Sequence, residues 1–169
     1  ANQASLNTPA ALAFGPDGRL WAVRWTGSDV NSALPEATTD IISFPMTGAT
    51  KGRAELEYRL SGLVDSISFG QAGTGFAGLL LASSNTAQHP VAADGSTTVA
   101  HTSAVWAIEL KSRRALKLAQ GGTRGESIVA TADGRILVAE TNRIDELAPV
   151  KAPRVVSASV ADGALVPLP

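Results

Sequence analysis

The chain has 169 residues, a formal net charge of −1, 44% hydrophobic and 17% charged residues, and no cysteine. That apolar share excludes a disordered chain, the near-neutral charge argues against nucleic acid or an anionic membrane surface as partner, and the missing cysteine excludes disulfides, thiolate metal sites and cysteine nucleophiles. No apolar run approaches the roughly 20 residues a membrane-spanning helix needs, no basic segment precedes an apolar one as in a leader peptide, and 16 glycines with 9 prolines point to strands and turns.

Residues 1–8 are small and polar and read as a leader or the tail of a preceding segment. Strands are expected over 12–14 and 20–25, joined by a turn at Gly15-Pro16-Asp17-Gly18, because Asp-Gly between two short apolar runs is the strongest local hairpin signal. Residues 26–39 read as loop. Strands follow over 40–45 and 55–60, and Glu55-Leu56-Glu57-Tyr58-Arg59-Leu60 alternates polar and apolar as an outer strand with one wet face would. A second set of four is expected over 64–69, 78–83, 103–110 and 114–119, with a long loop over 85–102 of the kind that is either functional or disordered. A third set holds the hairpin 128–130 and 136–139 around Ala132-Asp133-Gly134, and a strand over 143–147, with no fourth. A Pro-punctuated linker spans 148–153, and a new strand and Asp-Gly turn fall within 154–169.

The three sets read as repeats over about 9–61, 62–120 and 121–147. Aligning their first strands brings Ala10, Asp65 and Glu126 to one position, at separations of 55 and 61 residues, a nearly constant unit length. Asp65-Ser66-Ile67 and Glu126-Ser127-Ile128 then match almost residue for residue. The expected fold is therefore all-β: a partial β-propeller of two four-stranded blades and a truncated third, with first strands lining the axis.

The pattern of an apolar strand, Pro16-Asp17-Gly18-Arg19 or Ala132-Asp133-Gly134-Arg135, and then Leu20-Trp21-Ala22-Val23 or Ile136-Leu137-Val138-Ala139 resembles the blades of NHL-type and regucalcin/gluconolactonase-type propellers. In the latter family acidic and amide side chains at the starts of inner strands hold a divalent cation on the axis. The resemblance carries that role onto Glu126 and Asp65, while the first repeat has Ala10 there. The segment from Ala152 to Leu168 is similar to the opening of bacterial immunoglobulin-like domains, which follow propeller-like segments in large exported surface proteins. The resemblance thus implies a fragment of an exported, extracellular or cell-surface bacterial protein.

Two readings stand for Asp65 and Glu126: a Ca²⁺ or polar-ligand site at the axis, or carboxylates that accept hydrogen bonds from neighbouring strands. Arg124 either clamps an anionic ligand or pairs with an acid. The Asp-Gly pairs at 17, 94, 133 and 162 lack the acidic spacing of a calcium loop and are turn chemistry. His89 and His101 have no carboxylate at a recognisable metal spacing. Trp21 shares parity with Val23 on a buried face; Trp25 either packs or stacks on a sugar at the rim. Gly73, Gly75 and Gly78 match a dinucleotide glycine pattern, but no helix-forming stretch follows. The functional expectation is a non-catalytic scaffold or recognition segment that binds a protein or glycan through its loops and takes the remaining blades of its parent, or another copy, as partner. The alternative is a lactonase-like hydrolase in which Asp65 and Glu126 hold the cation.

Overall fold

The computed structural model describes residues 9–26, 38–88, 100–123 and 125–148, and the expected linker beyond Ala148 and immunoglobulin-like strand over 154–169 lie outside them. Among the described residues the chain is all-β, with eleven strands in three antiparallel sheets and no helix. Sheet one runs in chain order through β1 (Pro9–Phe14), β2 (Leu20–Thr26), β3 (Thr38–Phe44) and β4 (Glu55–Ser61). Sheet two repeats that meander with β5 (Leu63–Phe69), β6 (Leu80–Gln88), β7 (Ala100–Glu109) and β8 (Arg114–Gly121). Sheet three has β9 (Ser127–Ala130), β10 (Ile136–Ala139) and β11 (Ile144–Leu147). Among the described strands no sheet closes on itself.

The first hairpins of sheets one and three are the same object. The Gly15 amide donates to the Arg19 carbonyl at 2.9 Å and Gly18 to Gly15 at 3.0 Å; in sheet three Thr131 donates to Arg135 at 2.9 Å and Gly134 to Thr131 at 3.1 Å. Gly18 and Gly134 sit at φ 74° and 83°, a left-handed conformation that side chains disfavour, which is why Asp-Gly stands at both turns. The equivalent connection in sheet two is longer and packs Gly70 so tightly that a Cβ there would lie 1.7 Å from the Phe76 carbonyl oxygen. The Gly73 to Gly78 segment belongs to this turn, as the absence of a following helix pattern implies.

Sheet two is the middle layer. Val64, Ile67, Phe69, Leu80, Ala82 and Ile108 pack against Trp21, Val23, Ile41 and Leu60 of sheet one. Its opposite face, with Leu81, Val105 and Ala107, packs against Ile128, Ala130, Ile136 and Val138 of sheet three. Because alternate side chains of a strand point to opposite faces, a strand covered on both sides must be small or apolar at every position. The run Leu80-Leu81-Ala82-Ser83-Ser84 is buried throughout and meets that demand. Trp21 fulfils its expected burial: it meets Phe69 edge to face at 5.6 Å, and its indole N–H reaches Asp17 Oδ1 at 3.3 Å.

Two expectations are corrected. The alternation in β4 does not produce one dry face, because the β3–β4 register shifts between Ile41 and Ile42, pairing them with Tyr58 and Leu56. The extra residue reverses parity: Leu60 is buried in the first core, while Leu56 is 52% exposed beside Ile42 on the outer face. The loop expected over 85–102 is shorter, since β6 and β7 remain paired out to Gln88 and Ala100.

Candidate functional site

The candidate site lies where the first strand of each sheet begins. The β1–β2 register shifts between Pro9 and Ala11, leaving Ala10 as the extra residue; the β5–β6 register shifts between Val64 and Ser66, leaving Asp65. In sheet three the Glu126 amide donates to the Ala139 carbonyl at 2.9 Å, one residue before the paired Ser127. Counting back from the hairpins, through Phe14–Leu20, Phe69–Leu80 and Ala130–Ile136, makes Ala10, Asp65 and Glu126 equivalent, as the sequence repeats indicate. A bulge re-aims the side chain of its extra residue.

Adjacent first strands are coupled through side chains. The amides of Ile128 and Ala130 donate to the hydroxyls of Ser66 and Ser68, each at 3.2 Å, so β5 and β9 run alongside each other in the same direction. That alignment brings Asp65, half-buried, and Glu126, exposed, to the same end of adjacent strands. Arg124 and His89 lie outside the described residues, and His101 falls within β7.

Two buried carboxylates escaped the sequence reading, and both are held by donors. Asp40, on β3, has a side chain only 1% exposed and stands directly opposite Arg24 on one side and Arg59 on the other. Arg24 donates to Oδ2 at 2.7 Å and Arg59 to Oδ1 at 2.6 Å. Burial is the largest single influence on this carboxyl and raises its pKa, but the hydrogen bonds and charges of Arg59 and Arg24 together outweigh it and hold the group below its ordinary value. Glu140, just past β10, accepts from Ser103 Oγ at 2.6 Å and from the Thr123 amide and hydroxyl at 2.6 and 3.2 Å. It borders a cavity of about 210 Å³ between the outer strands of sheets two and three, along with Gln120, Arg143 and Asp145. A charged residue directly after an apolar strand, at the position of Arg24 and Ser84 in the other sheets, is the signal that marks Glu140 in the sequence.

Hydroxyls fasten the junctions between sheets. Thr39 Oγ1 donates to the Gly62 carbonyl at 2.8 Å and accepts from the Val64 amide at 2.9 Å; Ser103 Oγ, its counterpart in sheet two, lies 2.6 Å from both the Gly121 carbonyl and Glu140 Oε1, its single proton shared between the two acceptors. Trp25, half-buried, donates from its indole nitrogen to the Val64 carbonyl at 2.8 Å, tying its ring to the same junction. Among the described residues, no group of three or more His, Asp or Glu side chains is gathered where it could hold a metal ion. Comparison with family models, with curated proteins and with solved structures finds no match for this chain.

Proposed function

We propose that the three sheets are successive blades of a partial β-propeller, leading through a linker over 148–153 into an immunoglobulin-like domain, and that the chain is a non-catalytic scaffold or recognition segment of a larger exported bacterial surface protein. One observation carries the blade reading: three meandering sheets share the same hairpin register and the same junction at the start of the first strand. Recognition is favoured over catalysis because the buried carboxylates Asp40 and Glu140 are held by arginines, hydroxyls and an amide that build the frame. The ligand surface is assigned to the row of first-strand bulges, with Asp65 and Glu126 as acceptors. A protein or glycan is the ligand class this row suits, since carboxylates accept directional hydrogen bonds from hydroxyls, amides and cationic side chains.

Binding of the immobilised chain to a panel of bacterial and host polysaccharides and surface proteins tests this reading. Capture of one class, lost on Asp65→Asn with Glu126→Gln while the melting temperature is kept, is the expected result. Ca²⁺-dependent lactone hydrolysis abolished by Glu126→Gln would replace it with the hydrolase reading.

A further inference from the structure

We infer that the two outer faces of the stack dock onto each other between copies of this chain, head to tail, with sheet three of one copy receiving sheet one of the next. The inference rests on the blade reading above and names the surfaces and the partner that complete it.

The three sheets superpose by register, so each side chain has counterparts in the other two. Leu12, Ile67 and Ile128 are equivalent, as are Phe14, Phe69 and Ala130, Leu20, Leu80 and Ile136, and Ala22, Ala82 and Val138. In sheet two this set is the face buried against sheet one, and in sheet three it is the face buried against sheet two. In sheet one Leu12, Leu20 and Ala22 of this set line a groove of about 540 Å³ with Ile42 and Phe44: Leu12 is 64% and Phe14 67% exposed, Leu20 is half-buried, and Ala22 is buried. The opposite set shows the complementary pattern. Trp21 and Val23 receive sheet two, Leu81 receives sheet three, and the counterpart Leu137 of sheet three lies beside Val129, which is 52% exposed.

One end of the stack therefore presents a face of the kind that is received at both internal junctions, and the other presents a face of the kind that receives. A second copy brings the matching face by construction, because the external junction repeats the internal one. Polar groups agree with this register. Ser66 accepts the amide of Ile128 across the internal junction, and Ser127, exposed, occupies the place of Ser66, ready for the amide of Leu12 from the next copy. Exposed apolar faces of this extent mark association surfaces, and a heterologous junction of this kind grows into a ring or a filament according to whether its rotation closes.

Sedimentation velocity and native mass spectrometry of the full chain test the inference, with two single variants at exposed positions, Leu12→Glu on sheet one and Val129→Glu on sheet three. The wild type is expected to form assemblies larger than a dimer or a closed ring. Each variant alone is expected to lose them, and mixing the two variants is expected to give a one-to-one dimer, because one intact pair of faces remains. A monomeric wild type at all concentrations, or assembly that survives either substitution, would overturn the inference. An internal control separates this from failure of the blade reading. Leu81 is fully buried between sheets two and three, so Leu81→Ala is expected to lower the melting temperature sharply in an isolated copy. If it does so and the wild type is monomeric, the stack stands and only the docking fails; if Leu81→Ala leaves the melting temperature unchanged, the stack itself is wrong.

Discussion

Leu80 and Leu81 are adjacent, fully buried, and point into different cores, Leu80 toward sheet one and Leu81 toward sheet three. Each substitution to Ala removes the transfer free energy of the lost methyl groups and leaves a cavity in a close-packed layer, for about 3 kcal/mol within the range of about 2–5 kcal/mol seen for such changes. Because the two side chains share no core, the double variant is expected to lose the sum of the two to within about 0.5 kcal/mol. Equilibrium urea unfolding measures this directly: with an m value of roughly 2–3 kcal/mol/M, each single variant lowers the midpoint by about 1–1.5 M. A two-layer arrangement would leave one of these leucines on a wet face, where truncation costs under about 1 kcal/mol. Such an outcome at either position would refute the middle-layer assignment of sheet two.

Asp40→Asn leaves two arginines facing an uncharged group, and is expected to cost about 2 kcal/mol, less than for a fully buried pair because both arginine heads are half in water. The carboxyl is lowered in the folded state relative to about 3.9 in the unfolded chain, so its contribution is complete above about pH 4 and fades as the pH falls through the lowered value; the variant loses that part of the acid dependence in pH-resolved denaturation. Thr39→Val keeps the shape but strips the Gly62 carbonyl and the Val64 amide of their partner, for an expected loss of about 2 kcal/mol that Thr39→Ser restores in thermal unfolding. Gly70→Ala drives a methyl group into the Phe76 carbonyl and is expected to lower stability by about 1–3 kcal/mol or prevent folding of the sheet-two hairpin, seen as lost β-sheet circular dichroism.

Local pattern carried the strands, and register carried the rest. Asp17-Gly18 and Asp133-Gly134 mark their hairpins because only a left-handed turn residue fits there, and the parity of Trp21 and Val23 assigns a face without reference to any other strand. The double burial of β6 was latent in Leu80 to Ser83, whose unbroken apolar and small side chains suit a strand covered twice. What was not legible depends on which residue stands opposite which. The shift between Ile41 and Ile42 turns Leu56 outward, and no feature of β4 alone announces it. Asp40 carries no signal in the sequence because its arginines stand 16 residues before and 19 residues after it, and only the pairing brings them together. At the candidate site, repeat spacing was enough to align Asp65 with Glu126, because the bulge recurs at a fixed distance from the hairpin.

The serine hydroxyls between β5 and β9 have a consequence for how the molecule opens. Within each sheet, strands are joined by backbone ladders, but the junction from sheet two to sheet three depends on apolar packing and a few side-chain contacts such as those of Ser66 and Ser68. Each sheet is thus a cooperative unit bound more weakly to its neighbour than to itself. Amide hydrogen exchange should divide accordingly, with the slowest protons in β6, shielded from both sides, and the fastest in the four-residue β11, where sheet three ends. Among the described residues sheet three has three strands of four residues and packs through one face against sheet two, so in a single copy it is the unit that detaches first.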